Sequence, residues 1–355
     1  MELPNKFAAW LTVNRACNLR CGWCYARITN FSRKTSMSLD TVRKAIHLFE
    51  GLPLKNVILI GGEPTIHPNF LEIVKMIKKA GLRSLLITNG LRLADIEFLD
   101  KSLAAGINAI TISVKGANDD EYQRFTGVRA FDKVMRAVTN VSIRKIPHKI
   151  SITICKDLFF NFGEFIDVVS KSRADSFSLD MGRPMIANDR IIPDGIATPR
   201  EMADFIIRIY PKLVACGKRF TIKFSIPLCL FPEDFIKIVV KNNQAISGCQ
   251  IFNGKGIIID PEGRLLPCNH FCNNPLGILG VDFSDAKGYY QFRNRPDVIK
   301  FYETVSSCPS ERCVDCTYWQ YCGAGCRVHW LFRESRELIG NFCKKGGESW
   351  THKIY

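Results

Sequence analysis

Hydrophobic residues follow two alternating patterns through the first half of the chain. Short β-rich runs cover Phe7–Asn14, Asn56–Glu63, Ser84–Asn89, Ala109–Val114, Lys149–Ile154 and Ser176–Met181. Between them, apolar residues recur at helical spacing over Ser38–Phe49, Pro68–Ala80, Leu93–Ala105, Ala130–Arg144 and Asn161–Lys171. Strands separated by helices predict an α/β fold with parallel pairing through right-handed crossovers. Six such units are too few for the usual eight-fold closed barrel. An open, incomplete barrel and a doubly wound sheet both fit, and periodicity does not choose between them.

The alternation lapses at Gly182–Gly195, a loop punctuated by Pro and Gly. Helices are predicted again at Pro199–Val214 and Phe231–Lys241. From Cys249 onward regular helix is expected to be scarce, and cysteine is frequent. Such a region usually needs metal or crosslinks to stay folded. The expected organisation is an α/β unit over 1–185, a bridging segment over 186–246 and a small cysteine-rich domain over 247–355.

Composition adds two unusual quantities to an otherwise ordinary globular profile, 46% hydrophobic and 23% charged. That profile excludes a wholly disordered, collagen-like or coiled-coil protein. No apolar run approaches the roughly 18–20 residues that cross a bilayer. The start, MELPNKFAAW, lacks the layout of a secretory signal. A cytoplasmic protein with no membrane partner is therefore expected. The first unusual quantity is cysteine, 15 residues held in tight clusters. In a reducing compartment such thiols are metal ligands or catalysts more often than disulfides. The second is a formal net charge of +15. Three four-thiolate iron–sulfur clusters, at about −2 each, would offset roughly five or six of those charges. The remainder suits a solvated basic surface or an acidic or phosphate-bearing partner. No dense Lys/Arg tract argues for nucleic acid.

The segment Asn14–Tyr25, NRACNLRCGWCY, sets Cys17, Cys21 and Cys24 in a C-x3-C-x2-C array after the first predicted strand. A loop with these spacings can wrap three thiolates round one cluster. Three thiolates on a four-iron cube leave one iron without a protein ligand. An open metal position is what a catalytic site requires, whereas structural sites are closed. A zinc knuckle borrowing a distant fourth ligand is the competing reading.

Together with Gly61-Gly62-Glu63-Pro64 at the end of the second strand, this array resembles the radical S-adenosylmethionine (radical SAM) superfamily. The resemblance implies a partial (β/α)6 TIM-like barrel, in keeping with the six units counted from periodicity. It implies that Cys17, Cys21 and Cys24 bind a 4Fe–4S cluster whose fourth iron is chelated by S-adenosyl-L-methionine (AdoMet). The activity implied is reductive cleavage of AdoMet to methionine and a 5′-deoxyadenosyl radical, which abstracts a substrate hydrogen. Gly61, Gly62 and Glu63 would then lie against the AdoMet amine, and Tyr25 near the adenine. Asn89 and Ser113 end the third and fourth strands on the rim where active sites of α/β barrels sit. They are candidates to hydrogen-bond AdoMet, and read equally as loop-capping residues. Lys115 departs from the acidic residue often found there in related peptide-modifying enzymes. Arg124 and Arg129 are alternative partners for the AdoMet carboxylate.

The later cysteines run Cys249-x13-Gly263-x4-Cys268, then Cys313-x2-Cys316-x5-Cys322-x3-Cys326, then Cys343. This layout resembles the SPASM extension of radical SAM enzymes, which carries two auxiliary 4Fe–4S clusters, making three in all. The resemblance assigns Cys313, Cys316, Cys322 and Cys343 to the distal cluster, and Cys249, Cys268 and Cys326 to the nearer one. Cys272, Cys308 or an open position completes the nearer set, with Cys272 ranked first. Zinc competes, because C-x2-C recurs in zinc ribbons. Cys155 ends the fifth strand, where a thiol could donate a hydrogen atom or lie buried and inert.

Enzymes of the resembled architecture mostly modify peptides by crosslinking or oxidation, and others act on sugars or antibiotic intermediates. Modification of a ribosomally made precursor peptide is the leading expectation. Oxidation or epimerisation of a small molecule is the alternative, and a metal-bearing scaffold that binds a partner through its basic face is a third. With the cysteine array starting at Cys17, no peptide-recognition domain is expected ahead of the barrel. A separate peptide-recognition protein is therefore a possible partner, alongside an electron donor such as flavodoxin or ferredoxin.

Overall fold

In the computed structural model the described residues are 7–27, 34–187, 190–192, 195–246, 249, 256–330 and 338–339. The six predicted strands form as β1 (Phe7–Thr12), β2 (Leu54–Ile60), β3 (Arg83–Thr88), β4 (Ile107–Ser113), β5 (His148–Ile154) and β6 (Ser176–Met181). They lie side by side in chain order, every neighbouring pair parallel. That order decides between the two architectures. A doubly wound sheet reverses strand order partway and receives helices on both faces. Unbroken order with right-handed crossovers puts every helix on one face, so the sheet curls with helices outside. The fold is the partial, TIM-like barrel.

The outer helices are α1 (Leu39–Glu50), α2 (Phe70–Lys79), α3 (Ile96–Ala105), α4 (Asp119–Thr126), α5 (Phe131–Ile143) and α6 (Phe162–Lys171). Their starts obey local chemistry. Ser38 caps α1 by accepting from Thr41 N, and Asp95 caps α3 by accepting from Glu97 and Phe98 N. The unforeseen α4, DDEYQRFT, buries only Tyr122 and Phe125 among its apolar residues, too short a stripe to register as periodic.

Strand pleating divides the side chains cleanly. Ile150, Ile152 and Ile154 of β5, and Phe177, Leu179 and Met181 of β6, are buried. The Phe177 ring stacks on Phe220, which meets Tyr210 edge-on, so this is the helix-facing side. The alternate residues of these strands point into the barrel.

β1 and β6 do not pair with each other. After β6 come a hairpin, β7 (Met185–Ala187) with β8 (Arg190–Ile192), and helix α7 (Pro199–Ala215). The hairpin occupies the segment expected to be loop. Thr198 and Glu201 close a capping box at the start of α7. β9 (Arg219–Lys223) pairs parallel with β6, and after α8 (Glu233–Lys241) β10 (Ala245–Ile246) follows it. On the opposite edge β11 (Gly256–Ile259) pairs parallel with β1, and β12 (Arg264–Leu266) and β13 (Gly277–Ile278) extend it antiparallel. One 11-stranded sheet therefore draws on all three expected segments.

Helix in the last third is commoner than expected. α9 (Ala286–Arg293) and α10 (Pro296–Ser306) form after Asp285 caps through Gly288 N, with Pro296 in the first turn of α10. Their aromatic residues, not an aliphatic stripe, make the contacts: Phe283 packs on Tyr289 and Phe292.

Candidate functional site

The cysteine array occupies the loop leaving β1 at the C-terminal mouth of the barrel. Two glycines let it sit there. A Cβ on Gly61 would fall 2.3 Å from Asn14 Oδ1, and one on Gly62 would fall 2.1 Å from the Ala16 carbonyl oxygen. The backbone of the loop is thus laid directly on the end of β2. Gly62 N donates to Asn14 O at 2.9 Å, Glu63 N to Ala16 O at 2.7 Å, and Asn14 Nδ2 to Glu63 O at 2.9 Å. Farther along, Arg20 N donates to Thr126 O and Gly22 N to Phe125 O, and Trp23 meets Phe125 edge-on. Gly62→Ala should push the loop off its seat, costing about 1–3 kcal/mol of overpacking. It should show as lost iron after reconstitution with the thermal transition of the barrel only modestly lowered.

Glu63 is 1% exposed and its carboxylate is fully engaged. Oε1 accepts from Thr65 N (3.1 Å), Thr65 Oγ1 (2.6 Å) and Thr88 Oγ1 (2.6 Å), and Oε2 from Asn89 N (2.7 Å). Burial pushes its pKa up, while these donors pull it down. The side chain ties the end of β2 to the end of β3. Asn89 continues the tie: its Nδ2 donates to Asn18 Oδ1 at 2.7 Å and lies 4.0 Å from Cys17 Sγ.

The three thiols feel one another. Cys17 is pushed up to about 11, chiefly by burial, with Glu63, Cys21 and Cys24 adding to the effect and the Leu19 amide, 3.4 Å from its sulfur, opposing it. Burial raises Cys21 as well, against the nearby Lys115 charge. Burial thus disfavours the thiolate forms of Cys17 and Cys21 unless a cation compensates.

A second thiol group faces the first across the mouth. Cys268 is pushed up to about 12 by burial, with Cys326 and Cys249 adding to it and Arg183 opposing. Tyr25, directly after Cys24, stacks on His270 with ring centroids 5.3 Å apart. This contact joins the cysteine loop after β1 to the segment after β12.

Residues 11–170 match the sequence profile of the radical SAM superfamily. That match runs from β1 to α6, so this part of the chain resembles the radical SAM superfamily. Curated relatives include a probable GTP 3′,8-cyclase of Thermococcus kodakarensis, 31% identical over 45% of this chain and 50% of that protein. A probable GTP 3′,8-cyclase of Saccharolobus islandicus is 24% identical over 79% of this chain and 87% of its own length. Among solved structures, anSMEcpe with bound AdoMet and a peptide matches at TM-score 0.71 and 15% identity, covering 95% of this chain and 93% of that one. Streptococcus suis SuiB bound to precursor peptide SuiA matches at TM-score 0.69 and 16% identity, covering 95% and 76%. These structural likenesses bear on the fold alone.

The fold brings the loop carrying Cys17, Cys21 and Cys24, and Gly61–Glu63, Asn89 and Ser113, to the ends of β1 to β4 at one end of the barrel. Ser113 ends β4 facing inward, in register with Ser151 of β5. Arg124 and Arg129 do not join the site; both are exposed and sit by Glu121 and Asp120. Cys155 is buried in the core, and burial pushes its thiol up to about 12, so it stays an S–H group. Cys272 packs with Ile258, Leu266 and Trp10, and its thiol, raised by burial, feels Arg15, Arg264 and Asp260.

Cys313, Cys316 and Cys322 gather round a cavity, with an unforeseen member. Cys229, after β9, lines that cavity with them. Cys313, pushed up to about 11, and Cys322, pushed up to about 12, are raised chiefly by burial, and each then feels Cys229 most strongly among its neighbouring thiols. Leu228 N donates to Cys322 Sγ at 3.3 Å. Cys343 lies outside the described residues. Cys326 reaches the second group through a turn, Gly323-Ala324-Gly325, with left-handed φ throughout. Gly325 is pressed against Ser225, whose carbonyl accepts from Cys326 N at 2.7 Å. No short-range motif contains Cys229, so only the fold reveals it.

Among the described residues no helix is long and apolar enough to cross a membrane.

Proposed function

We propose that the chain is a radical SAM enzyme with a SPASM-type pair of auxiliary iron–sulfur centres, and that it modifies a precursor peptide. The observation that carries the first part is the seating of Cys17, Cys21 and Cys24 on one loop at the mouth of a partial barrel. When bound there, a 4Fe–4S cluster supplies the electron that cleaves AdoMet to methionine and a 5′-deoxyadenosyl radical. The chain's own residues hold this chemistry in place. Gly61 and Gly62 admit the loop, Glu63 locks β2 to β3, and Asn89 fixes the loop beside Cys17. The backbone at Gly61–Glu63 and the inward-facing Ser113 are the groups offered to AdoMet. Cys249, Cys268 and Cys326 hold the nearer auxiliary centre. Cys313, Cys316 and Cys322, with Cys229 or Cys343, hold the farther one.

The peptide reading is supported by the SuiB and anSMEcpe structures, which share the fold over nearly the whole chain and bind peptides. A small anionic substrate is a second reading, favoured by the sequence relatives named GTP 3′,8-cyclase. Anaerobically reconstituted protein, dithionite, AdoMet and either GTP or a short peptide encoded beside the gene decide between them. A peptide mass change coupled to 5′-deoxyadenosine supports the lead. A cyclised nucleotide supports the alternative. No 5′-deoxyadenosine under any condition defeats both.

A further inference from the structure

The barrel's inner wall changes character along the sheet. Toward β2 and β3 it presents Ile58, Ile60, Leu85 and Ile87, whereas β5, β6 and β9 present polar and charged residues. In the parallel register Thr153, Asp180 and Lys223 stand in one row across β5, β6 and β9. Lys149 is two pleats before Thr153 on the same face of β5. Asp180 lies 3.0 Å from Arg183 and 3.4 Å from Lys223. These three side chains remain 25–32% accessible although the opposite face of the same strands is packed under helices. They line a water-reachable interior, not the outer surface.

The charges here do not balance. Lys149, Lys223 and Arg183 are three cations against the single carboxylate of Asp180. Arg183 also faces Cys268 and Cys326, so metal-bound thiolates there would claim its charge. Among the described residues no carboxylate lies within ion-pair distance of Lys149. Like charges in a partly desolvated interior repel strongly unless something offsets them. Neutral donors surround the lysines: Ser151 and Ser178 lie in the next row, and the Ser178 hydroxyl is buried with no hydrogen-bond partner among the described residues.

We propose that Lys149 and Lys223, with Ser151 and Thr153 beside them, bind an anionic group of the substrate, a carboxylate or a phosphate, inside the barrel. The negative group would then lie against the β5–β9 wall of the barrel interior. This rests on the proposed radical SAM reading and adds the charge of the group that enters the barrel.

The test uses the full chain with its clusters reconstituted and AdoMet bound. Binding of inorganic pyrophosphate and of glutarate is measured by calorimetry on the parent, on K149Q and on K149Q/K223Q. The parent should bind one of the two probes, the preferred one telling phosphate from carboxylate. The double variant should weaken that binding by about tenfold or more, and K149Q by an intermediate factor. K149Q keeps the test decisive if the double variant fails to fold. Equal binding by parent and variants overturns the proposal, as does a parent that binds neither probe at millimolar concentration. An AdoMet affinity that falls by the same factor would assign the lysines to the cofactor and also overturn it. A parent that binds the probe but forms no 5′-deoxyadenosine would instead defeat only the radical SAM reading.

Discussion

Cys24→Ala protein is expected to form no 5′-deoxyadenosine, whereas Cys313→Ala protein should form no modified product yet retain uncoupled AdoMet cleavage. The difference follows from ligand number. On the proposed reading, three thiols would leave an iron open for AdoMet, and removing one of them would strand the cluster. The Cys313 group lines a separate cavity with Cys229 and does not share that loop. Cys17, Cys21 and Cys24 replaced together should also remove about a third of the roughly twelve irons expected from three cubane clusters. Iron analysis and chromatographic measurement of 5′-deoxyadenosine check both statements. Parental rates from the Cys24→Ala protein would show that the catalytic cluster lies elsewhere.

The second large effect concerns folding. Cys313→Ala combined with Cys316→Ala should open residues 308–330 to protease while the barrel stays resistant. The three helices there, Glu311–Val314, Trp319–Cys322 and Arg327–Trp330, are one turn each. Turns that short do not hold themselves in water, so ligation is what would keep them in place. α9 and α10 should survive, because their aromatic contacts do not involve thiols. Limited proteolysis with fragment mass determination reads the outcome. An unchanged digestion pattern would mean that packing alone holds the segment.

Much of this was legible in the residues because it is local. β1 to β6 and the helices between them other than α4 follow from periodicity, and the first cysteine loop follows from its spacing. Strand order was not legible from periodicity, since an open barrel and a doubly wound sheet share one αβ pattern; the barrel was expected only through the resemblance carried by the cysteine array and Gly61–Pro64. β9 was missed because RFTIK is only five residues long, between two helices, and reads as a linker. α9 and α10 were missed because aromatic residues, not a regular aliphatic stripe, bury them. Gly61 and Gly62 were read as cofactor contacts. Their backbones also seat the cysteine loop, a second demand for the same residue type. Cys229 joins Cys313 and Cys322 across 84 or more residues, a distance no spacing rule spans.

The pairing of β11 with β1 has a consequence for synthesis. Until Gly256–Ile259 emerges, the first strand has an unpaired edge, and Arg15 lacks its buried carboxylate partner Asp260, 245 residues downstream. At typical translation rates of about 5–20 residues per second, that edge waits roughly 12–50 s. An exposed parallel edge of this kind invites association with other nascent chains. Slowing elongation through residues 60–250, or overexpressing at high temperature, should therefore send the protein to inclusion bodies. Supplying residues 250–355 in trans would not rescue it if the edge has already been capped by a neighbour.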